Sequence, residues 1–157
     1  MRLEYFQMID GVEMLNAQQA RITARAHVPA QSPVFEGHFP GHALVPGVLL
    51  IETMAQASGY LIIALNEFAS MPFLASVKEA KMRSFVTPDS ELIVSAEMLH
   101  EGSGYAVTKA HIHHDGKKIC DAQLTLRTMA FPSQDLEGHM RAQAEKIGLM
   151  KASRGHG

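Results

Sequence analysis

The 157-residue chain is the right length for one domain, which at this size buries about two-thirds of its unfolded surface. Its 46% hydrophobic and 19% charged residues exclude a disordered, collagen-like or disulfide-scaffold chain, and a formal charge of -2 leaves no broad basic field for nucleic acid. The single cysteine, Cys120, cannot form an internal disulfide and the opening MRLEYFQMID lacks the apolar run of a secretory signal, so a reducing cytoplasm is the expected compartment.

In chain order, the first clear period is in RITARAHV, where Ile22, Ala24, Ala26 and Val28 alternate with polar residues as in a half-buried strand. The next stretch, PAQSPVFEGHFPGHALVPG, holds four of the seven prolines and three glycines and predicts a long structured loop without helix or central strand. After it, VLLIETMAQASGYLIIALNEF is apolar on almost every side and long enough to cross a membrane. Glu52 and Gln56 near its middle would be costly in lipid, and alternating strands flank it, so a helix buried against a sheet is the better account. MPFLASVKEAKMRSFV predicts one or two strands of weaker alternation.

A meander follows. ELIVSAEML sets Leu92, Val94, Ala96 and Met98 on one face; a turn at Glu101–Gly104 leads to YAVTKAHIHH, and Asp115-Gly116 suits a tight hairpin into KKICDAQLTLRTM. Cys120 there shares a face with Ala122, Leu124 and Leu126 and reads as a small buried hydrophobe rather than a reactive thiol. Beyond Phe131, Leu136, Met140, Ala144 and Ile147 recur at helical spacing, and Gly155 and Gly157 mark a loose end. The expected fold is α+β, one antiparallel sheet around one long central helix, with residues 1–132 as the main domain and 133–157 as a C-terminal helix and tail.

Chemistry concentrates between Phe35 and Gln56. His38 lies in the Gly/Pro-rigid loop, and Glu52 is a carboxylate on an otherwise apolar helix. A lone histidine is commonly a hydrogen-bonded structural residue, whereas a buried carboxylate must be paired or protonated, which favours a functional role. Burial would favour the neutral acid at Glu52, able to donate a proton, while a neutral imidazole accepts one. The Gly47 amide, at the positive end of the helix, has no intrahelical acceptor and suits an oxygen that becomes an enolate.

Phe35-Glu36-Gly37-His38-Phe39-Pro40-Gly41, followed by Val45-Pro46-Gly47-Val48-Leu49-Leu50-Ile51-Glu52-Thr53-Met54-Ala55-Gln56, resembles the active-site signature of the bacterial β-hydroxyacyl-acyl carrier protein dehydratases of the hotdog superfamily. Asp10 in MIDGV and the stretch MRSFVTPDSEL resemble two further segments of that family, extending the likeness over about residues 4–130. The resemblance implies a hotdog fold, dehydration of (3R)-hydroxyacyl groups on acyl carrier protein to trans-2-enoyl groups in fatty acid or specialised lipid synthesis, and no cofactor or metal. It implies that His38 is the base, Glu52 the acid, Gly47 N–H the holder of the thioester carbonyl, and Gln56 an orienter of Glu52. Val48 and Phe39, within the same signature, are taken as substrate-binding residues.

The dehydratase/isomerase branch has Asp where this chain has Glu52 and Trp where it has Ala55, so no double-bond migration is expected. The resemblance also implies a homodimer, with a trimer of dimers as a larger assembly, and a site in which His38 and Glu52 come from different protomers. Gly11 where the family has Arg, Pro88-Asp89-Ser90 where it has Pro-Gly-Asp, and the longer C-terminal segment are departures. Because every matched site residue lies upstream of that segment, it is expected to bear on stability, assembly or carrier affinity more than on the chemical step.

Other residues have plainer readings. His111, His113 and His114 adjoin a turn and lack the acidic or cysteine partners of a metal set; His42 reads as a loop residue. Lys78, Lys81 and Arg83 form a cluster that either is solvated or meets an acidic carrier protein. A hotdog thioesterase, an enoyl-CoA hydratase and a non-catalytic acyl-carrier-binding subunit remain as alternatives, since fold does not fix reaction.

Overall fold

The computed structural model describes residues 1–154. Six antiparallel strands, β1 (Gly11–Asn16), β2 (Arg21–His27), β3 (Met71–Met82), β4 (Glu91–Gly102), β5 (Tyr105–His114) and β6 (Lys117–Met129), form one sheet in the order β1-β2-β4-β5-β6-β3. Among the described residues a 3-10 turn at Leu3–Tyr5 and four α-helices complete the fold: α1 (Pro33–Gly37), α2 (Gly47–Leu65), α3 (Gln134–Lys146) and α4 (Leu149–Arg154). The layout is the hotdog arrangement, with α2 lying along the concave face of the sheet and packed against β2 to β6.

Period-two patterning explains why the sheet closes on α2. Leu92, Val94 and Ala96 of β4, Ala110 and Ile112 of β5, and Leu124 and Leu126 of β6 point to one face, where Met54, Leu61, Ile62 and Ile63 meet them, all buried. Although α2 is apolar and long enough to cross a membrane, most of its residues are buried in this core. Polar side chains buried with it are satisfied: Thr53 Oγ1 donates to Leu49 O at 2.7 Å, and Ser58 and Thr108, both fully enclosed, share a hydrogen bond of 2.7 Å. Each hydroxyl thus satisfies the other, as a buried polar group must be satisfied.

Both predicted hairpin turns are tight. Asp115 and Gly116 have φ of 49° and 77°, and Ser103 and Gly104 have φ of 56° and 80°, the left-handed pair that matches strand twist. MPFLASVKEAKMRSFV supplies a single strand, β3, at the sheet edge; bulges at Leu74/Ser76 and Lys78/Lys81 break its alternation, and from Leu74 onward it is exposed on both faces.

Several features differ from the sequence expectation. A one-and-a-half-turn helix, α1, interrupts the proline-rich loop because Pro33 occupies its first turn, where no amide donor is needed, and Ser32 Oγ accepts from Val34 N at 3.2 Å. β1 carries little alternation and was not expected. The C-terminal segment holds two helices rather than one, separated at Gly148, whose φ of 79° ends α3. Ala144 and Ile147 are buried and Met140 is half-buried, and Leu149 of α4 joins them in the common core. Gly155 and Gly157 lie outside the described residues.

The family departures have local explanations. Gly11 is buried beneath the guanidinium of Arg25, its register partner on β2, so a side chain from the neighbouring strand covers the position. Asp89 has φ of 63°, a conformation natural to glycine that aspartate tolerates better than most residues.

Candidate active site

The loop after α1 carries His38. Its backbone N–H donates to Val34 O at 3.1 Å, its carbonyl accepts from Leu44 N at 3.0 Å, and its ring Nδ1 lies 3.1 Å from Leu44 O. A carbonyl can only accept, so Nδ1 carries a proton, and in the neutral imidazole the lone pair is on Nε2. The Phe39 ring stacks on the imidazole at 4.0 Å between centroids, and Val45 N donates to Val86 O at 2.8 Å, tying the loop to the segment before β4. His42 is exposed on the same loop, where it exchanges two backbone hydrogen bonds with Phe39.

Glu52 stands in the second turn of α2, half-buried in the single chain rather than enclosed. Gln56, one turn on, donates from Nε2 to Glu52 Oε1 at 3.0 Å and to Phe6 O at 2.6 Å, while its Oε1 accepts from Met8 N at 3.0 Å. The amide is therefore fixed by the N-terminal segment and itself fixes one carboxyl oxygen, while Glu52 Oε2 has no hydrogen-bond partner among the described residues. The first intrahelical bonds of α2 are donated by Leu49 and Leu50 to Pro46 O, so the amides of Gly47 and Val48 precede the ladder. Val48 is 71% exposed and Phe39 48%, so this end of the molecule presents apolar side chains to the outside.

A cavity of about 410 Å³ opens beside Glu52. One face of α2 lines it through Glu52, Ala55, Gln56, Gly59, Tyr60 and Ile63, the i, i+3, i+4 series of a single helical stripe. Tyr5 to Ile9, the start of β3 from Met71 to Leu74, and Leu126 form the walls, and His139, Met140 and Gln143 of α3 complete them. Burial holds the Tyr60 phenol above its usual pKa of 10. His38 does not line this cavity. The structure thus brings together Glu52 and Gln56 at the cavity, places Gly47 and Val48 in the first turn of α2 and stacks Phe39 on His38 in the preceding loop, and leaves His38 and Glu52 without a shared cavity in one chain.

The family model for FabA-like domains matches residues 2–123. The chain belongs to the FabA-like family. Among curated members, the 3-hydroxyacyl-[acyl-carrier-protein] dehydratase FabZ of Enterococcus faecalis is 35% identical over 121 residues, covering 76% of this chain and 85% of that protein. The protein of the same name from Vibrio cholerae is 40% identical over 103 residues, 62% of this chain and 66% of that one. Solved structures of a hypothetical Streptococcus pneumoniae thioesterase with coenzyme A and of a conserved Pseudomonas aeruginosa protein share the fold. Their TM-scores are 0.58 and 0.62, each at 18% identity, with coverage of 78% and 80% of this chain and 90% and 91% of theirs. The family match ends before α3, so the helix that completes the cavity lies outside it.

Outside the cavity, Cys120 is fully buried and its thiol is pushed up to about 12 by burial. His111 and His113 meet edge to face at 4.8 Å, and burial lowers the His111 pKa below 6.5. Arg83 is paired with Asp121 at 2.7 Å, while Lys78 and Lys81 are exposed on β3. Sequence reasoning missed the backbone of Phe6 and Met8 as partners of Gln56, and α3 as a wall. An amide on an apolar helix signals that partners exist, but nothing local to it says which segment supplies them.

Proposed function

We propose that this chain dehydrates (3R)-hydroxyacyl-acyl carrier protein to the trans-2-enoyl thioester in the cytoplasm, using His38 and Glu52 as base and acid. The observation that carries the reading is the complementary commitment of the two side chains. His38 Nδ1 is tied to Leu44 O, so Nε2 accepts a proton; Gln56 holds Glu52 Oε1, so Oε2 is free to exchange one. Nε2 removes a proton from C2, and the electron pair of that bond becomes the C2=C3 double bond. Glu52 protonates the departing C3 hydroxyl, which leaves as water. The Gly47 amide faces the thioester oxygen as it gains enolate charge. Proton return from His38 to Glu52 resets the site. Glu52 in place of Asp, and Ala55 in place of Trp, support a reaction that stops at the 2-enoyl product.

The same reading makes the working unit a homodimer with His38 and Glu52 from different protomers. In support, the Glu52 cavity lacks His38. β3 also has an unpaired edge with Leu74, Val77 and Met82 exposed, a combination that a lone domain pays for in aggregation.

The test is incubation with 3-hydroxyacyl-acyl carrier proteins of graded chain length, followed by mass spectrometry. Loss of one water with the thioester intact is the expected result. Release of free carrier thiol would replace the reading with a thioesterase, and no change would leave a binding subunit.

A further inference from the structure

We infer that α3 sets the length of acyl chain this enzyme accepts, with Met140 and Gln143 closing the far end of the cavity that begins at Glu52. The inference rests on the dehydratase reading above. From Glu52 to Ile63 the lining stripe of α2 spans eleven residues, about 16 Å of helix axis, which gives the cavity a direction. Ala55 and Gly59, with the smallest side chains on the stripe, leave room above the helix, and the walls are apolar through Phe73, Leu126 and Ile63, the surface an alkyl chain requires.

The placement of α3 comes from independent contacts. The Arg141 guanidinium lies over the Phe68 ring at 4.4 Å, just past the C-terminal end of α2 and away from Glu52. Val12 N donates to Ile147 O at 2.8 Å, and Ala144, Ile147 and Leu149 are buried, so the helix is anchored along its C-terminal half. The residues that reach the cavity are His139, Met140 and Gln143. Two of these three are polar, so a hydrocarbon that extends past Ile63 meets an imidazole and an amide that it cannot hydrogen-bond. Met140, half-buried between them, is the apolar stop.

The experiment measures kcat/KM for a graded series of 3-hydroxyacyl-carrier substrates with wild type, Met140→Ala and Met140→Trp. Pocket volume differences of this kind change discrimination on the order of 10- to 200-fold per step in chain size. Met140→Ala is expected to raise the long-to-short ratio about tenfold or more, and Met140→Trp to lower it by a similar factor. Met140→Phe serves in place of Trp if that variant does not fold.

A parallel calorimetric titration with unreactive acyl-pantetheine thioethers of the same lengths reads the cavity without the reaction. Length-dependent binding that shifts with Met140, in a protein that dehydrates none of the substrates, would sink the dehydratase reading and keep the role of α3. Folded Met140 variants that bind and turn over the series with the wild-type length profile would overturn the role of α3.

Discussion

Gln56 and Glu52 lie one helical turn apart and share a hydrogen bond of 3.0 Å, and the same Gln56 amide is held by the backbone of Phe6 and Met8. A side chain so fixed at both ends transmits the position of the N-terminal segment to the carboxyl group. Gln56→Ala is expected to lower kcat roughly 10- to 100-fold, the worth of one hydrogen bond to a charged group, with little change in KM. Loss of stability with both kinetic quantities unchanged would reduce Gln56 to a structural tie.

His38→Ala and Glu52→Gln should each lower dehydration by about 10² to 10⁴-fold, the usual contribution of general acid-base catalysis. Glu52→Gln is nearly isosteric, so its circular dichroism and melting should match wild type. An unfolded Glu52→Gln variant would instead assign that carboxyl a structural role, and normal turnover in either variant would remove it from the mechanism.

A mixed dimer of those two inactive variants would hold one intact site and one doubly defective site. Random re-pairing in equal amounts makes about half the dimers mixed, so roughly a quarter of wild-type activity should return after co-refolding. Native mass spectrometry identifies the mixed species. Its formation without recovered activity would show that both residues act within one chain.

The Ser58–Thr108 hydrogen bond is enclosed between α2 and β5. Ser58→Ala alone strands the Thr108 hydroxyl and should cost about 1–3 kcal/mol in urea unfolding. Ser58→Ala combined with Thr108→Val removes both polar groups and should cost less than the sum of the single changes. Strict additivity would mean that the two hydroxyls are satisfied by other groups.

His27 on β2 faces Glu91 on β4, with Nδ1 2.5 Å from Glu91 Oε1 and Nε2 3.4 Å from Asp89 Oδ1. The Glu91 hydrogen bond, helped by the charges of Glu91 and Asp89 and opposed by desolvation, raises the imidazole pKa above 6.5. With the folded value above the unfolded one, the stabilisation is fully present below about pH 6.5 and is lost as pH rises through the folded pKa. Proton NMR should place His27 above 6.5 in wild type and lower in Glu91→Gln. The urea midpoints of the two proteins should converge with rising pH. A His27 titration at or below 6.5 would contradict the pairing.

The signature from Phe35 to Gln56, the buried character of α2, the two left-handed hairpin turns and the inert Cys120 were legible because each depends on local chemistry. Spacing along a helix, alternation along a strand and the φ preference of Gly beside Asp or Ser are properties of a few consecutive residues. β1 and the bulged β3 escaped the same reasoning. Short, half-exposed or edge strands need not alternate, since no second layer covers both ends of the pattern.

Tertiary structure alone decided three things: that Phe6 and Met8 hold Gln56, that the cavity beside Glu52 excludes His38, and that α3 supplies part of its wall. Each joins segments far apart in sequence, Met8 to Gln56 or Ile63 to Met140, whose meeting depends on how the sheet curls around α2. The amphipathic stripe of α3 says that one side is covered, but many apolar surfaces satisfy that demand equally, and only packing selects the one beside the cavity.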